Sequence, residues 1–584
     1  MMAFAIGLVY ASHHFFIPAF FLDGQKQVYE PITQASYFDE ALLYAPRAHD
    51  AFLNFGVRGD FSLTEYQKSP AMLPMLNPLL LGGLAKIFGS MKAGLIASDI
   101  IFPTAIFFVI YLVLCELGAG SAASLLFSTI FLVVPQWGTA VPPIHSFQLH
   151  TLAQTVFPFL AKADALYFSH FEEPKLTFFF FALCVYTVIR ALKRQERKDM
   201  IYAGISFGIL FYTYLFDWAT VATALGLMAL FFLITKDYRR FGIIAAIASI
   251  GLLVSSYYWV NLSTLRNLPS GKDVWVRLGG EFSHSLRFGT VWKSYGRAIA
   301  LVALLWMCVR RQAREAIIVL SAVLLSYIVV VNEQVITGFN VQPDHWYRVQ
   351  FFPIAVSITM LMVYAYRRYI RLFIKTYARG ICIMFFLYFF AAALWGQYVY
   401  SRERADLFTL AGAYEDIFAW FNTHTPPGSV VGTLSFAENL DIQLHTHNKI
   451  FTPFGLSTVA PEDELWQRFM ILGSLWGITP AQFTALIHEQ GGAYYLFGDE
   501  YGLHTFDANF FAHGWSVPDA LLTQKTKIYS EFVRANKRLI IPYRLDYLLV
   551  DAQISPSWKE PEQLIHSLVK VYDNGRIRIF SLSQ

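Results

Sequence analysis

Charged residues are scarce in this chain of 584 residues. Only 15% are Asp, Glu, Lys or Arg, whereas a soluble domain carries about 25%. Long stretches before residue 400 have almost none, and 56% of the chain is hydrophobic. The net charge of +4 is too small to indicate nucleic-acid binding. The shortage of charge therefore excludes an ordinary soluble protein for the first two thirds of the chain and indicates a membrane protein.

Cysteine is equally scarce, and its positions exclude one means of stabilisation. Cys115, Cys184, Cys308 and Cys382 all lie within apolar runs, and no cysteine follows residue 400. The C-terminal part therefore cannot form a disulfide, even in an oxidising compartment. Buried thiols that pack as small hydrophobic groups are the simplest interpretation.

Several catalytic motifs are also absent. The chain has no Gly-rich phosphate loop ending in Gly-Lys-Ser/Thr, no Gly-x-Ser-x-Gly elbow and no His-Glu-x-x-His sequence. These absences argue against ATP-driven transport, serine hydrolysis and zinc-dependent proteolysis. No basic region precedes the first apolar run, so we expect an uncleaved first helix instead of a removable signal peptide.

Apolar runs of spanning length fill the first two thirds of the chain. A spanning helix needs roughly 20 apolar residues, and about eleven segments qualify or come close. They are 1–20, 96–117, 121–136, 176–193, 201–217, 219–235, 242–260, 296–309, 316–333, 350–366 and 379–397. The predicted fold class is a membrane all-α polytopic bundle of about eleven spanning helices, followed by an external α/β domain.

The basic linkers set the orientation of this bundle. They are Arg190 to Lys198, Lys236 to Arg240, Arg310 to Arg314 and Arg367 to Arg379. A cytoplasmic N-terminus puts all of them inside, as the positive-inside rule requires. If residues 71–89 also crossed, the linkers would move outside. We therefore predict that 71–89 is a re-entrant or surface-lying part of the first external loop, 21–95.

The C-terminal part reads as a globular domain. We predict a transmembrane domain over 1–398 and an external soluble domain over 399–584. A helix-like stretch from Tyr414 to Phe421 leads into an apolar run at Val430-Val431, and 545–550 is predicted as a buried strand. Asp573-Asn574-Gly575 between two alternating segments predicts a hairpin near the end.

Two adjacent carboxylates, Asp39 and Glu40, stand in the first external loop shortly after the membrane exit. A carboxylate in this place can take a proton from an acceptor hydroxyl or hold a divalent cation against a phosphate. The alternative is that the pair only complements the first turn of a helix running to Phe52. Chemistry alone leaves both interpretations open.

This arrangement resembles the GT-C superfamily of multispanning glycosyltransferases, which includes protein O-mannosyltransferases and aminoarabinose transferases. Asp39, Glu40 and Tyr44 match the first-loop motif, and a Pro-containing apolar segment ending in Phe88-Gly89 follows. The resemblance implies a polyprenyl-phosphate-linked sugar donor and catalysis on the external face. It assigns catalysis to Asp39 and Glu40, with Asp39 as the key carboxylate, and substrate binding to Tyr44 and Arg47.

A second external segment, Tyr167 to Pro174, precedes the span at 176. Related sequences place an Arg before that helix, whereas this chain has His170. Glu172 and Glu173 are candidates for a second acidic ligand or are simply loop charges. We predict His170 and Glu173 as substrate-binding residues.

The stretch 332–348 is crowded with hydrogen-bonding and aromatic residues. His345 and Arg348 can donate to a phosphate. Trp346 suits either stacking on a sugar ring or anchoring at the membrane interface. We predict all three as substrate-binding, together with Asp217, which lies at an external helix end beside a tight helical hairpin.

The predicted function is the transfer of a sugar from a polyprenyl-phosphate-linked donor to an acceptor hydroxyl on a glycan, lipid or protein. The alternative is a non-enzymatic membrane protein that binds or transports lipid-linked glycans. The resemblance leaves open whether a divalent cation, Mg²⁺ or Mn²⁺, takes part. We expect no other cofactor and no nucleic-acid partner. The family likeness suggests a prokaryotic plasma membrane.

Overall fold

The computed structural model describes most of the chain. The described residues are 1–22, 27–33, 40–56, 58–134, 166–287, 292–309, 313–365, 377–488, 491–502, 516–535, 541–553 and 568–582. Asp39, the carboxylate on which the sequence resemblance centres, lies outside them. So do the side chains of Glu40 and Arg348, although their backbones lie within helical turns.

Helices make up most of the described part before residue 405. They are Met2–Ala11, His13–Phe20, Ala45–Asn54, Leu76–Phe88, Met91–Glu116, Ser121–Val133, Lys175–Arg194, Arg197–Leu210, Leu215–Ile234, Tyr238–Val254, Ser256–Arg266, Gly271–Arg277, Trp292–Cys308, Arg314–Val330, Gln334–Thr337, Phe351–Ala365 and Ala378–Arg404. A π-helical turn, Glu40–Tyr44, and 3₁₀ turns at Thr64–Tyr66, Pro343–Gln350 and Ala405–Phe408 complete this part. Every predicted spanning segment therefore contains a helix.

Only some of these helices are long enough by themselves to cross a membrane. Among the described residues there are 4 such helices, or up to 6 if two bent helix pairs each count as one span. The 4 are Met91–Glu116, Lys175–Arg194, Leu215–Ile234 and Gly380–Phe408. Shorter apolar helices include Ser121–Val133 and Leu76–Phe88. The predicted number of spans stays a prediction.

The predicted segment 201–217 ends earlier than the hydropathy indicated. Its helix stops at Leu210, and a turn at Phe211–Tyr214 precedes the next helix. Tyr214 has an extended backbone, φ −161° and ψ 130°, which interrupts the helical hydrogen bonds. The apolar residues of the turn hide this break from a hydropathy count. Asp217 consequently lies in the first turn of the following helix.

The segment 71–89 contains the helix Leu76–Phe88, which packs against two neighbours, Ala45–Asn54 and Met91–Glu116. Gly82 makes the first contact possible. A Cβ atom at Gly82 would lie 2.9 Å from the carbonyl oxygen of Ala48 and 2.8 Å from the backbone nitrogen of Phe52. Since such distances are shorter than van der Waals contact, only glycine lets these two helices approach so closely.

The C-terminal part is an α/β domain with one five-stranded sheet. Its helices are Gly412–His424, Phe436–His445, Glu462–Leu475, Pro480–His488, Gly492–Phe497 and Asp519–Ala535, with a 3₁₀ turn at Gly455–Ser457. The strands are β5 (Val430–Gly432), β6 (Lys449–Ile450), β7 (Tyr547–Asp551), β8 (Leu568–Asp573) and β9 (Ile577–Leu582), in the order β6-β5-β7-β9-β8. β6, β5 and β7 are parallel; β9 and β8 form the predicted antiparallel hairpin.

Short strands and an apolar core join this domain to the segments predicted as external loops. β1 (Gln27–Tyr29) pairs with β4 (Thr409–Ala411), and β2 (Gly280–Glu281) pairs with β3 (Asn340–Val341). One apolar cluster contains loop residues Leu42, Leu63, Leu265 and Leu278 together with domain residues Leu440, Phe454, Trp466 and Phe497. The domain therefore shares a core with the loops.

Polar contacts reinforce the same junction. Asp60 accepts hydrogen bonds from the Thr458 hydroxyl at 2.5 Å and the Val459 amide at 3.3 Å. The buried Arg277 donates to the Thr458 carbonyl at 2.9 Å. Two of the predicted external loops thus contact one segment of the domain, residues 455–460.

Candidate functional site

The predicted first external loop meets the Glu172-Glu173 turn through Tyr44. The π-helical turn Glu40–Tyr44 ends at this residue, and its hydroxyl is hydrogen-bonded to the Glu173 carboxylate. Burial raises the pKa of the Tyr44 phenol well above its usual value, and the nearby Glu173 and Glu172 carboxylates raise it further. Tyr44 therefore stays protonated and serves as a hydrogen-bond donor.

Arg47 follows one turn later on the helix Ala45–Asn54 and is 7% exposed. Its Nη2 donates to the Pro74 carbonyl, whereas Nη1 has no hydrogen-bond partner within the described part of the chain. Burial lowers the pKa of the guanidinium, and Glu172 and Glu173 counteract this effect. The unused Nη1 leaves Arg47 with one donor that can still bind an oxygen atom of a ligand.

Asn77 holds the acidic turn in place from the helix Leu76–Phe88. Its side-chain amide is fully buried and donates to Glu172 Oε1 at 2.6 Å and to the Thr213 carbonyl at 3.0 Å. The Leu76 amide donates to the Tyr212 carbonyl at 2.9 Å. The acidic turn, the first loop and the helical hairpin at 211–214 are thereby fixed to one another.

Asp217 lies on the other side of this hairpin, near Glu173 of the acidic turn. It is buried, and the Glu173 carboxylate is close enough to act on it electrostatically. Its Oδ2 has no hydrogen-bond partner among the residues that the structure describes. A buried carboxylate oxygen without a donor is costly, so this position favours a ligand or a proton.

The stretch at 343–350 lies next to this hairpin through Phe216. The His345 ring stacks on Phe216 at a centroid distance of 5.6 Å, and Trp346 packs edge-on against it at 4.7 Å. Trp346 is 1% exposed, and its indole N–H donates to Asn340 Oδ1 at 2.8 Å. In this structure Trp346 is a packing residue, with both its ring and its donor engaged; its predicted role in sugar stacking stays a prediction.

The structure thus brings together four of the residues predicted from the sequence: Tyr44, Arg47, Glu173 and Asp217. His170 is half-buried in the turn that leads to Glu172. A small pocket opens beside Arg47. It is lined by Arg47, Arg58, Gly59, Phe61, Ala71, Met72, Leu73 and Ser457. The last of these comes from the C-terminal domain.

A second buried polar group joins residues that the sequence analysis did not connect, although Asp99 stands out as an ionisable residue at the end of an apolar run. Lys175 is 0% exposed and its Nζ lies 2.5 Å from Asp99 Oδ1 and 2.7 Å from Ser98 Oγ. His14 Nε2 lies 2.7 Å from Asp99 Oδ2, and His14 Nδ1 lies 2.5 Å from the Tyr29 hydroxyl. The signal in the sequence is the presence of ionisable residues inside or at the ends of apolar runs.

This second group bears on the predicted divalent cation. Ligand atoms of His13, His14 and Asp99 lie within 4.8 Å of one another, a spacing that suits a metal ion. However, Lys175 already supplies a positive charge to the Asp99 carboxylate. The described residues of this group therefore form an ion pair without a metal ion. The involvement of Mg²⁺ or Mn²⁺ stays a prediction.

Comparison with known proteins gives structural matches only. No protein-family model and no curated protein sequence matches the chain. The crystal structure of ArnT from Cupriavidus metallidurans bound to undecaprenyl phosphate matches over 93% of both chains, with 13% identity and a TM-score of 0.43. The apo structure of the same protein matches over 92% of both chains, with 13% identity and a TM-score of 0.36. At these TM-scores the matches add nothing to the reasoning about the site.

Proposed function

We propose that the chain is a membrane glycosyltransferase that moves a sugar from a polyprenyl-phosphate-linked donor to an acceptor hydroxyl on the external face. The observation that carries this proposal is the buried Arg47, with its unused Nη1, beside Glu172 and Glu173, of which Glu173 also acts on the buried Asp217. Group transfer from a lipid phosphate needs a cation for the leaving group and carboxylates for the proton. The site supplies both kinds of group.

The proposed reaction is a single displacement. The acceptor oxygen forms a bond to the anomeric carbon while the bond from that carbon to the phosphate oxygen breaks. Both electrons of the broken bond leave with the polyprenyl phosphate, and the acceptor proton passes to a carboxylate. The resemblance assigns this base to Asp39. Arg47 would stabilise the charge that develops on the departing phosphate, and Tyr44 would orient Glu173.

Transfer is tested with the purified full chain and a lipid-linked sugar donor. The wild type should release free polyprenyl phosphate in proportion to glycosylated acceptor. Asp39→Asn should lower this rate by at least about 100-fold, the usual contribution of a general base. Asp463→Asn is the matched control, since Asp463 is 92% exposed and far from the site in sequence.

The alternative, a protein that binds or transports lipid-linked glycans, makes a different prediction. It requires no release of free polyprenyl phosphate. Undiminished transfer by Asp39→Asn would overturn the assignment of the base. Binding of the donor without any release by the wild type would favour the alternative.

A further inference from the structure

Two adjacent segments between the longer helices expose large apolar side chains. Phe282 is 59% exposed and Leu286 is 67% exposed in the segment that follows β2. Ile336, in the short helix Gln334–Thr337, is 86% exposed, and its neighbour Val335 is also exposed. We call these four residues the apolar tip. Single exposed apolar residues are normal on a protein surface, whereas a group of them marks a contact with a partner or a membrane.

The two segments that carry the apolar tip are packed against each other. They run side by side from the pairing of β2 with β3, and the rings of Phe282 and Phe339 lie 5.2 Å apart. Gly338 lets the segments approach closely, because it has a φ of 71° and a Cβ atom there would lie 2.9 Å from the His284 ring. The apolar tip is therefore held in a defined shape.

Hydrogen bonds fix the apolar tip to the ends of two helices, Trp292–Cys308 and Arg314–Val330. The Arg287 amide donates to Asn332 Oδ1 at 2.7 Å, just beyond the second helix. The Tyr295 hydroxyl, in the first turn of the first helix, donates to the Arg287 carbonyl at 2.8 Å. Leu286 therefore lies directly beside the point where these two helices end.

The helix Trp292–Cys308 presents an apolar outward surface. Trp292, Ile299 and Met307 are all exposed along it. In an integral membrane protein such a surface contacts the acyl chains, and a Trp at the end of a helix typically lies at the head groups. The apolar tip begins at this same end of the helix, so it continues a surface that faces lipid.

The backbone of the apolar tip has its hydrogen bonds within the protein. Every amide from residue 335 to residue 339 donates to a carbonyl or hydroxyl oxygen at 2.7 to 3.2 Å. The Gln334 side chain donates to the Ser285 carbonyl at 2.9 Å, and His284 Nδ1 lies 3.3 Å from the Val335 carbonyl oxygen. Outward apolar side chains on an internally hydrogen-bonded backbone are what a lipid environment requires, since lipid offers the backbone no partners.

We propose that the apolar tip is a membrane anchor, which inserts into the boundary between the head groups and the acyl chains of the bilayer that the helices cross. The charged residues next to it, Glu281 and Arg287, form an ion pair with each other, so the insertion carries no unpaired charge from this pair. Beyond the tip, Asn340 accepts the hydrogen bond from Trp346. The anchor thus fixes the stretch around Trp346, which packs beside the candidate site, relative to the membrane surface.

A spin label measures the depth of the apolar tip in a bilayer. Ile336→Cys carries the nitroxide in the full chain, whose four native cysteines are first replaced by Ala. The chain is placed in nanodiscs of phosphatidylcholine and phosphatidylglycerol, and collisions with oxygen are compared with collisions with a water-soluble nickel complex. The label should lie about 5–10 Å inside the head-group boundary. A label on the aqueous side of the boundary would overturn the anchor.

Two matched positions calibrate this depth. Ile299→Cys, on the outward surface of the helix Trp292–Cys308, replaces a side chain that is 54% exposed and should report acyl chains. Val569→Cys, on β8 of the C-terminal domain, replaces a side chain that is 57% exposed and should report water. Leu286→Cys should agree with Ile336→Cys, and a label at Leu286 that reports water would overturn insertion of the apolar tip as one unit.

A second measurement needs no change to the cysteines. The photoreactive amino acid p-benzoylphenylalanine at position 336, in the otherwise unchanged chain, should form cross-links to phospholipid in the same nanodiscs. The same amino acid at position 569 should form none. Cross-links from position 336 to a second copy of the chain, in place of lipid, would show a protein interface and overturn the anchor. Both measurements read position and not sugar transfer, so their outcome is independent of the proposed function.

Discussion

Two groups of buried charged residues lie side by side in this protein, and their hydrogen bonding differs. In the first, Lys175, Asp99 and His14 are joined by contacts of 2.5 to 2.7 Å. In the second, around Arg47 and Asp217, at least one nitrogen and one oxygen lack a partner within the described ranges. The groups are separated by only two residues along the chain, from Glu173 to Lys175.

This difference separates structural from functional roles. Proteins pair nearly all of their buried polar atoms, so a fully paired group is explained by folding alone. A group with unpaired atoms needs another explanation, and a ligand that completes the pairing is the usual one in a cleft. We therefore assign the Lys175 group to stability and the Arg47 group to chemistry. The following predictions test this division, in order of decreasing change in the free energy of unfolding.

The largest effect is expected from Lys175→Met. The substitution leaves the Asp99 carboxylate buried without its ammonium, which should lower the free energy of unfolding by about 3–5 kcal/mol. Adding Asp99→Asn removes both charges and should recover most of this loss. Thermal unfolding in detergent measures the change. Glu116→Gln breaks the more exposed pair with Lys193 and should lower the free energy of unfolding by less than about 1 kcal/mol. An equal loss of stability in Lys175→Met and Glu116→Gln would refute the division.

An intermediate effect is expected from Asn77→Ala. The substitution removes two buried hydrogen bonds, to Glu172 and to the Thr213 carbonyl, so stability should fall by about 2 kcal/mol. Sugar transfer should fall as well, because the acidic turn loses its support. Asn422→Ala is the matched control: it removes an exposed hydrogen bond to the His445 carbonyl and should leave transfer unchanged. Normal transfer by Asn77→Ala would show that the acidic turn is not part of the site.

The smallest change in the free energy of unfolding is expected from Asp217→Asn, and this change should be an increase. An amide cannot carry the negative charge that burial, and then the nearby Glu173, disfavours at this position, so the protein should become more stable by about 1 kcal/mol. Transfer should nevertheless be lost. Unfolding and transfer assays on the same preparation measure both changes. A loss of stability in this variant would place Asp217 with the paired group.

The sequence predicted the elements of this fold better than their contacts. Apolar runs of spanning length gave helices at every predicted position because burial in a membrane leaves few other structures for such segments. In the C-terminal domain, β5 at Val430–Gly432 and the hairpin of β8 and β9 lie where alternation and turn residues indicated. The exception was the turn at 211–214, whose apolar residues carry no turn signal.

The candidate site was predictable in part for a similar reason. Tyr44 and Arg47 belong to a motif within one short segment, so a local sequence pattern was enough to single them out. Their roles stay predictions. Asn77 and Glu172 are 95 residues apart, and Lys175 and Asp99 are 76 apart. Such pairs depend on how helices pack, and no local pattern specifies them. Lys175 in particular was indistinguishable from an ordinary charged residue flanking a spanning segment.

The core shared by the loops and the C-terminal domain has a consequence for dissecting the protein. A chain cut after residue 398 would lose Leu440, Phe454 and Trp466 and would expose the faces of Leu42 and Leu63 that pack with them. The strand pairing of Tyr29 with Thr409 would be lost as well. Each fragment would lose the apolar side chains against which it packs in the full chain. The boundary visible in the composition therefore marks a change in sequence character, whereas the packing joins the two parts into one folded unit.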